Sequence, residues 1–165
     1  MSFGDEMRLR PATAADAAPI RSLIFRVGIN PRSLDWRRFL VAVDPSGKLV
    51  GCGQVKPHVD GSRELASIAV RPNGRRRGLA SQIIRRLMTE AGHPLWLMCR
   101  SDLAGFYRRF GFVSIEDPQR MPRYLRRVYR WAAAAARLLP GDNPMAVMLW
   151  EKGDPPGEGR VSDQR

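Results

Sequence analysis

The chain has 165 residues, 44% hydrophobic and 27% charged, the size and balance of one folded domain that buries about two-thirds of its unfolded surface. Its longest apolar runs, PLWLMC and WAAAAA, reach six residues against the roughly 20 that span a bilayer, so a transmembrane helix is excluded. Twenty-eight basic residues against sixteen acidic leave a formal net charge of +12, which calls for an anionic partner: nucleic acid, a membrane surface or a phosphorylated small molecule.

From the N-terminus, MSFGDEMRLR carries both signs of charge where a secretory signal needs an apolar run, so a cytoplasmic location is expected. Cys52 and Cys99 are then expected to stay thiols. Met7 to Arg10 alternates apolar and polar as a half-buried strand does. Thr13 is a cap for a helix with Ala17, Ile20, Leu23, Ile24 and Val27 on one face, closed by Gly28. Leu34 to Arg38 reads as a short helical turn. Phe39 to Val43 and Leu49 to Val55 form a hairpin about Pro45-Ser46-Gly47-Lys48.

Glu64 to Val70 is the fourth strand, followed by a loop rich in arginine and a helix from Gly78 to Gly92. Leu95 to Cys99 is apolar on both faces, as a central strand is. Ser101-Asp102 offers a cap for a helix through Phe110, Phe112 to Ile115 is a strand, Met121 to Leu139 a helix and Met145 to Trp150 the last strand. Residues 153–165, rich in Gly, Pro and charge, are expected to be a disordered tail. No repeat or linker divides the rest, so residues 1–152 are expected to form one mixed α/β domain of about seven strands.

The segment Val70-Arg71-Pro72-Asn73-Gly74-Arg75-Arg76-Arg77-Gly78-Leu79-Ala80 joins a strand directly to a helix. The first amides of a helix have no internal acceptor and sit at the positive end of its dipole, so this junction is an anion cradle. Gly78 lets a ligand approach the main chain, small Ala80 keeps the helix entrance open, and three arginines add charge.

Arg75-Arg76-Arg77-Gly78-Leu79-Ala80 resembles the Q/R-x-x-G-x-G/A signature of the GNAT superfamily of acyl-CoA N-acyltransferases, with a fit to its small bacterial members. Ile68-Ala69-Val70-Arg71-Pro72 and Phe106-Tyr107-Arg108-Arg109-Phe110-Gly111-Phe112 are similar to the segments that flank it in that superfamily. The resemblance implies a mixed, mostly antiparallel sheet flanked by helices, with the fourth and fifth strands splayed apart. It also implies acetyl-CoA as co-substrate, its pyrophosphate on the amides of Arg76 to Ser81 beside Arg75, and its pantetheine along Ile68, Ala69 and Val70.

For the chemistry, the resemblance places Glu64 as the base that deprotonates the acceptor amine and Tyr107 as the acid that protonates the leaving thiolate. A backbone N–H near Val70 would stabilise the oxyanion. The structural alternatives are an exposed Glu64 paired with Arg63 and a Tyr107 that only packs. Asn30, Trp36 and Arg37 fall in a segment that walls the acceptor pocket in this superfamily. No metal is expected: His58 and His93 lack ligand spacing and read as surface residues beside prolines, and Cys99 as a small hydrophobe.

Arg120, Arg123, Arg126, Arg127, Arg130 and Arg137 form a second cluster, with no acidic residue between Asp117 and Asp142. Met121, Tyr124, Leu125, Val128, Trp131, Ala132 and Ala135 give the same helix an apolar face. This segment, Arg123 included, lies where the superfamily sets acceptor specificity; the same composition suits a membrane surface. The competing functions are a non-catalytic acyl-CoA sensor and a basic nucleic-acid binder, the latter without zinc spacing, RNP-type aromatics or a helix-turn-helix. The expected acceptor is a small-molecule or peptide amine, and the expected assembly a monomer or homodimer.

Overall fold

Period-two segments become strands and period-3.6 segments become helices, in a computed structural model that describes residues 7–75, 78–138 and 144–153. The strands are β1 (Arg8–Pro11), β2 (Phe39–Val43), β3 (Leu49–Pro57), β4 (Arg63–Val70), β5 (Leu95–Arg100), β6 (Val113–Ser114) and β7 (Met145–Trp150). The helices are α1 (Ala17–Arg26), α2 (Leu79–Ala91), α3 (Ala104–Arg108) and α4 (Arg123–Ala136). The tail expected to be disordered lies, from residue 154 on, outside the described residues.

One sheet contains all seven strands in the order β1-β2-β3-β4-β5-β7-β6. Every neighbouring pair is antiparallel except β4 and β5, so the expected mixed, mostly antiparallel α/β sheet is the one found. α2 covers one face: its Ile83, Ile84 and Met88 are fully buried against Val50, Leu97 and Met148. The other face carries two separate helices. α1 packs Ile20, Leu23 and Ile24 on Val41 and Cys52, whereas α4 packs Leu125 near Val147 and Leu149. Burial of each such side chain supplies about 1.5–3 kcal/mol. The α1 cluster reaches β3 at Leu49 and Cys52 and β4 at Ala69.

Local chemistry sets the entry to α1 and departs from expectation at α3. The Asp16 carboxylate accepts from the Thr13 N–H at 2.7 Å and the Arg10 guanidinium at 2.7 Å. The Arg10 hydrogen bonds hold that carboxyl at about 2, below the usual range. Ser101 and Asp102 do not cap α3; they form a 3-10 turn ahead of it, because Asp102 is taken by Arg100 at 2.8 Å. The strand expected over Phe112 to Ile115 shortens to Val113–Ser114, since Phe112 turns into the core.

Candidate active site

β4 is registered on β3 from Arg63 to Val70, and β5 on β7 from Leu95 to Arg100, yet β4 and β5 register on each other only at Glu64↔Trp96. Two sheet blocks therefore join at the start of β4 and β5 and part beyond it. The expected splay is present. The parting lies toward the carboxyl ends of two parallel strands, the place where open α/β sheets receive ligands. α2 follows β4 and α3 follows β5, so both helices begin beside the opening.

At the β4–α2 junction the chain turns through Pro72–Gly74 and is tied back to the sheet. Arg71 donates its N–H to the Val50 carbonyl at 2.8 Å and its Nε to the Leu49 carbonyl at 2.7 Å. Arg75 donates Nε to the Val70 carbonyl at 3.4 Å, so part of this arginine serves the loop itself. Arg76 and Arg77, expected to hold phosphate, lie outside the described residues. Gly78 has φ +69, a left-handed backbone that glycine adopts without penalty, and a Cβ there would meet nothing within 4 Å. The first bond of α2 runs from Gln82 N–H to the Gly78 carbonyl, so the amides of Leu79, Ala80 and Ser81 precede its ladder. Leu79 itself anchors the helix in the core.

Midway along β4 the ladder slips. Cys52 pairs with Ala69 and Gln54 with Ala66, so two residues of β4, Ser67 and Ile68, stand opposite Gly53. Ser67 takes φ +58, a left-handed conformation that costs a non-glycine residue about 1–3 kcal/mol and tends to occur at functional sites. Its hydroxyl accepts from Gln54 Nε2 at 3.0 Å; Gln54 is fully buried and its Oε1 has no partner among the described residues. Gly53 is required by this crowding. A Cβ there would lie 2.6 Å from Ile68 Cδ1 and 2.9 Å from Ile83 Cγ2. Gly53→Ala is therefore expected to cost about 1–3 kcal/mol, read as a melting temperature several degrees lower.

Glu64, at the start of β4, is half-buried and does not pair with Arg63. Arg63 is engaged elsewhere, donating to the carbonyls of Ala91 and Pro94, the latter at 3.3 Å. Instead Glu64 Oε2 lies 2.8 Å from His58 Nε2, with side chains only 13% and 8% exposed. His58 is thus not the surface residue expected: the β3–β4 hairpin folds it back, and its ring stacks on Tyr124 of α4 at 3.8 Å and 18°. The Tyr124 N–H donates to Asp60 of the same hairpin at 3.0 Å. His93 is exposed, with its ring edge-on to Trp150 at 5.3 Å.

Tyr107, on α3, packs edge-on to Phe106 and Phe112 within the α2-side core. Burial, with the Cys99 thiol nearby, pushes its phenol up to about 12, and its hydroxyl has no hydrogen-bond partner among the described residues. Burial raises the Cys99 thiol to about 11 and the Cys52 thiol to about 12, leaving both poor nucleophiles at neutral pH. Ile68 is half-buried, while Ala69 and Val70 are buried. Of the residues expected on the acceptor side, Asn30 is exposed and uses Oδ1 on the Arg32 N–H at 3.0 Å. Trp36 packs against the α1 cluster, and Arg123 is exposed at the start of α4.

The apolar face expected along all of α4 is buried only in its first half. Leu125 is 1% exposed but Trp131 is 74%, because Ile115, Val147 and Leu149 offer apolar surface only to the first turns.

Residues 35–114 match the model of the GNAT acetyltransferase domain. The match, to just under half of the chain, identifies a GNAT acetyltransferase domain in it. The matched span runs from Asp35, ahead of β2, to Ser114 at the end of β6, and so takes in both splayed strands and the start of α2. N-acetylglutamate synthase from Neisseria gonorrhoeae, complexed with coenzyme A and N-acetyl-glutamate, has a similar fold. Its TM-score is 0.69 at 18% identity over 90% of this chain, which spans 35% of that longer protein. Rv2747 from Mycobacterium tuberculosis, in complex with CoA, gives 0.65 at 23% identity, covering 88% of this chain and 99% of that one. A GNAT family acetyltransferase from Brucella melitensis, in complex with acetyl-CoA, gives 0.51 at 25% identity, covering 66% and 84%. No curated protein matches the sequence.

Sequence reasoning on this GNAT chain missed Gln54, Ser67, His58 and Tyr124 as a group. One signal was available: a glutamine in the strand run Gly51-Cys52-Gly53-Gln54 shares a face with Cys52 and so has to be buried.

Proposed function

We propose that this chain is an acyl-CoA-dependent N-acyltransferase that moves acetyl from acetyl-CoA to a primary amine within a ternary complex, through one domain over residues 1–152. The observation that carries this reading is the parting of β4 from β5 beside the free amides at the start of α2, in a GNAT chain. Those amides, from residue 76 to Ser81 with Arg75, Arg76 and Arg77, would take the cofactor's pyrophosphate. Ile68, Ala69 and Val70 would run beside the pantetheine, as an edge strand does with an added strand.

Glu64 accepts the proton of the amine as its nitrogen bonds to the acetyl carbon. Tyr107 gives a proton to the sulfur as the carbon–sulfur bond breaks, and the Val70 N–H faces the carbonyl oxygen between these events. The phenol is in its protonated, donating form at neutral pH, burial pushing it up to about 12.

The test is calorimetric titration with acetyl-CoA together with thiol detection over a panel of amines. Binding at micromolar Kd or tighter is expected, with stabilisation of about 2.7 kcal/mol at a hundredfold excess over Kd. Absence of both heat and a melting shift would sink the reading. Binding without CoA release over the whole panel would reduce the protein to an acyl-CoA sensor.

A further inference from the structure

We propose that the carboxyl-terminal half of α4 is a docking surface for an anionic phospholipid membrane. The helix is committed to the core only at its start, where Leu125 is buried with Ile115, Met121, Val147 and Leu149. No residue from Arg126 to Leu138 is buried, and Trp131 and Leu138 are 74% and 81% exposed. Leu138 lies in a turn that carries the helical bonding on, its N–H donating to the Ala135 carbonyl at 3.0 Å. A tryptophan and a leucine therefore stand in water on a helix whose other apolar side chains found cover.

Helix geometry sets these residues beside a row of positive charge. Seven positions are close to two turns, so Trp131 and Leu138 fall in one line along the helix. Arg123, Arg127, Arg130 and Arg137 recur at three, four and seven, which makes the adjoining line, and all four are exposed. Among the described residues no carboxylate forms an ion pair with any of them. The sequence has no acidic residue between Asp117 and Asp142. Asp60 and Asp117 stand at the other end of the helix and are engaged there. Asp60 accepts from the Tyr124 N–H at 3.0 Å and the Ser62 hydroxyl at 2.6 Å, and Asp117 from the Gln119 N–H at 2.8 Å.

Side chains as exposed as Trp131 and Leu138 are projecting tips, not the floor of a groove, so the surface they meet has to yield around them. A lipid headgroup layer does so: the indole settles at headgroup depth, the leucine reaches the acyl boundary, and phosphates meet the arginines at their own level. A nucleic-acid duplex would neutralise the arginines but leave both apolar tips in water. A second copy would bring a like-charged row against this one, in a chain of net charge +12. No described helix is long and apolar enough to cross a membrane, so α4 lies in the plane of the surface.

The experiment sediments the full chain with vesicles of phosphatidylcholine alone and of equal parts phosphatidylcholine and phosphatidylglycerol. Binding to the anionic vesicles is expected to be at least about tenfold tighter than to the neutral ones, and to weaken as salt rises. Trp131→Ser and, separately, Arg130→Gln/Arg137→Gln are each expected to weaken it about tenfold or more with the melting temperature held, since all three side chains are exposed. Anionic vesicles should also shift the tryptophan emission of the wild type to the blue and leave that of Trp131→Phe in place. No sedimentation, equal binding to both vesicles, or binding that survives Trp131→Ser overturns the proposal. So does duplex DNA bound more tightly than the anionic vesicles, which gives the arginines to nucleic acid. A dimer that Trp131→Ser separates overturns it as well, and gives the row to a second copy.

Discussion

Tyr107→Phe is expected to lower kcat about 100- to 10,000-fold while acetyl-CoA still binds and the fold is kept. Its ring packs edge-on against Phe106 and Phe112, and phenylalanine preserves all of that packing. Only the hydroxyl is lost, and it has no protein partner among the described residues to leave unsatisfied, so the stability change stays within about 1 kcal/mol. The pH profile carries independent information. A phenol pushed up to about 12 remains the protonated, donating form at every pH below that, so no alkaline fall in rate should come from Tyr107 in the ordinary working range. Initial rates by thiol detection and a calorimetric titration on the same preparation check both parts. An unchanged kcat would remove Tyr107 from the mechanism.

Glu64→Gln is expected to lower kcat/KM for the amine by a similar 100- to 10,000-fold factor near neutral pH. Glutamine keeps the size of the side chain and a polar contact to His58, now 2.8 Å from Glu64, but cannot accept the amine proton. The sign of the pH dependence follows from the substrate. Even a neutral amine sheds a proton as its nitrogen bonds to the acetyl carbon, and hydroxide takes over that task as pH rises, so the deficit should shrink toward alkaline pH. A deficit that is constant across pH would instead indicate lost positioning. Rates from pH 6 to 10 for variant and wild type decide between the two.

Much of the fold, and the turn that leads into α2, was legible because the signals are local. Period-two runs such as Glu64 to Val70 specify strands wherever they pack, and the step from Val70 through Gly78 into Leu79, Ile83 and Leu87 carries its own turn and helix chemistry. The surroundings of Glu64 were not legible. His58 read as a surface residue because nothing near it in sequence shows that Tyr124 will cover it. That contact, like the hydrogen bond between Asp60 and the Tyr124 amide, spans more than sixty positions. The bulge at Ser67 was hidden for a related reason: a left-handed serine inside a strand is unfavourable locally and is held by Gln54 and the neighbouring ladder on β3. On α4 the 3.6 period stated correctly which face is apolar, but how much of it is covered depends on where Val147 and Leu149 end.

By itself, then, the sequence determined the order of the elements, the glycine turn into α2 and the excess of positive charge. Tertiary structure alone decided what surrounds Glu64. His58 and Tyr124 lie far apart in the chain, and only the folding back of the β3–β4 hairpin and the docking of α4 on β7 bring them together beside that carboxylate. The physical reason is range. Backbone propensity acts over a few residues, whereas a field around one carboxylate is a sum over whatever the fold brings within reach.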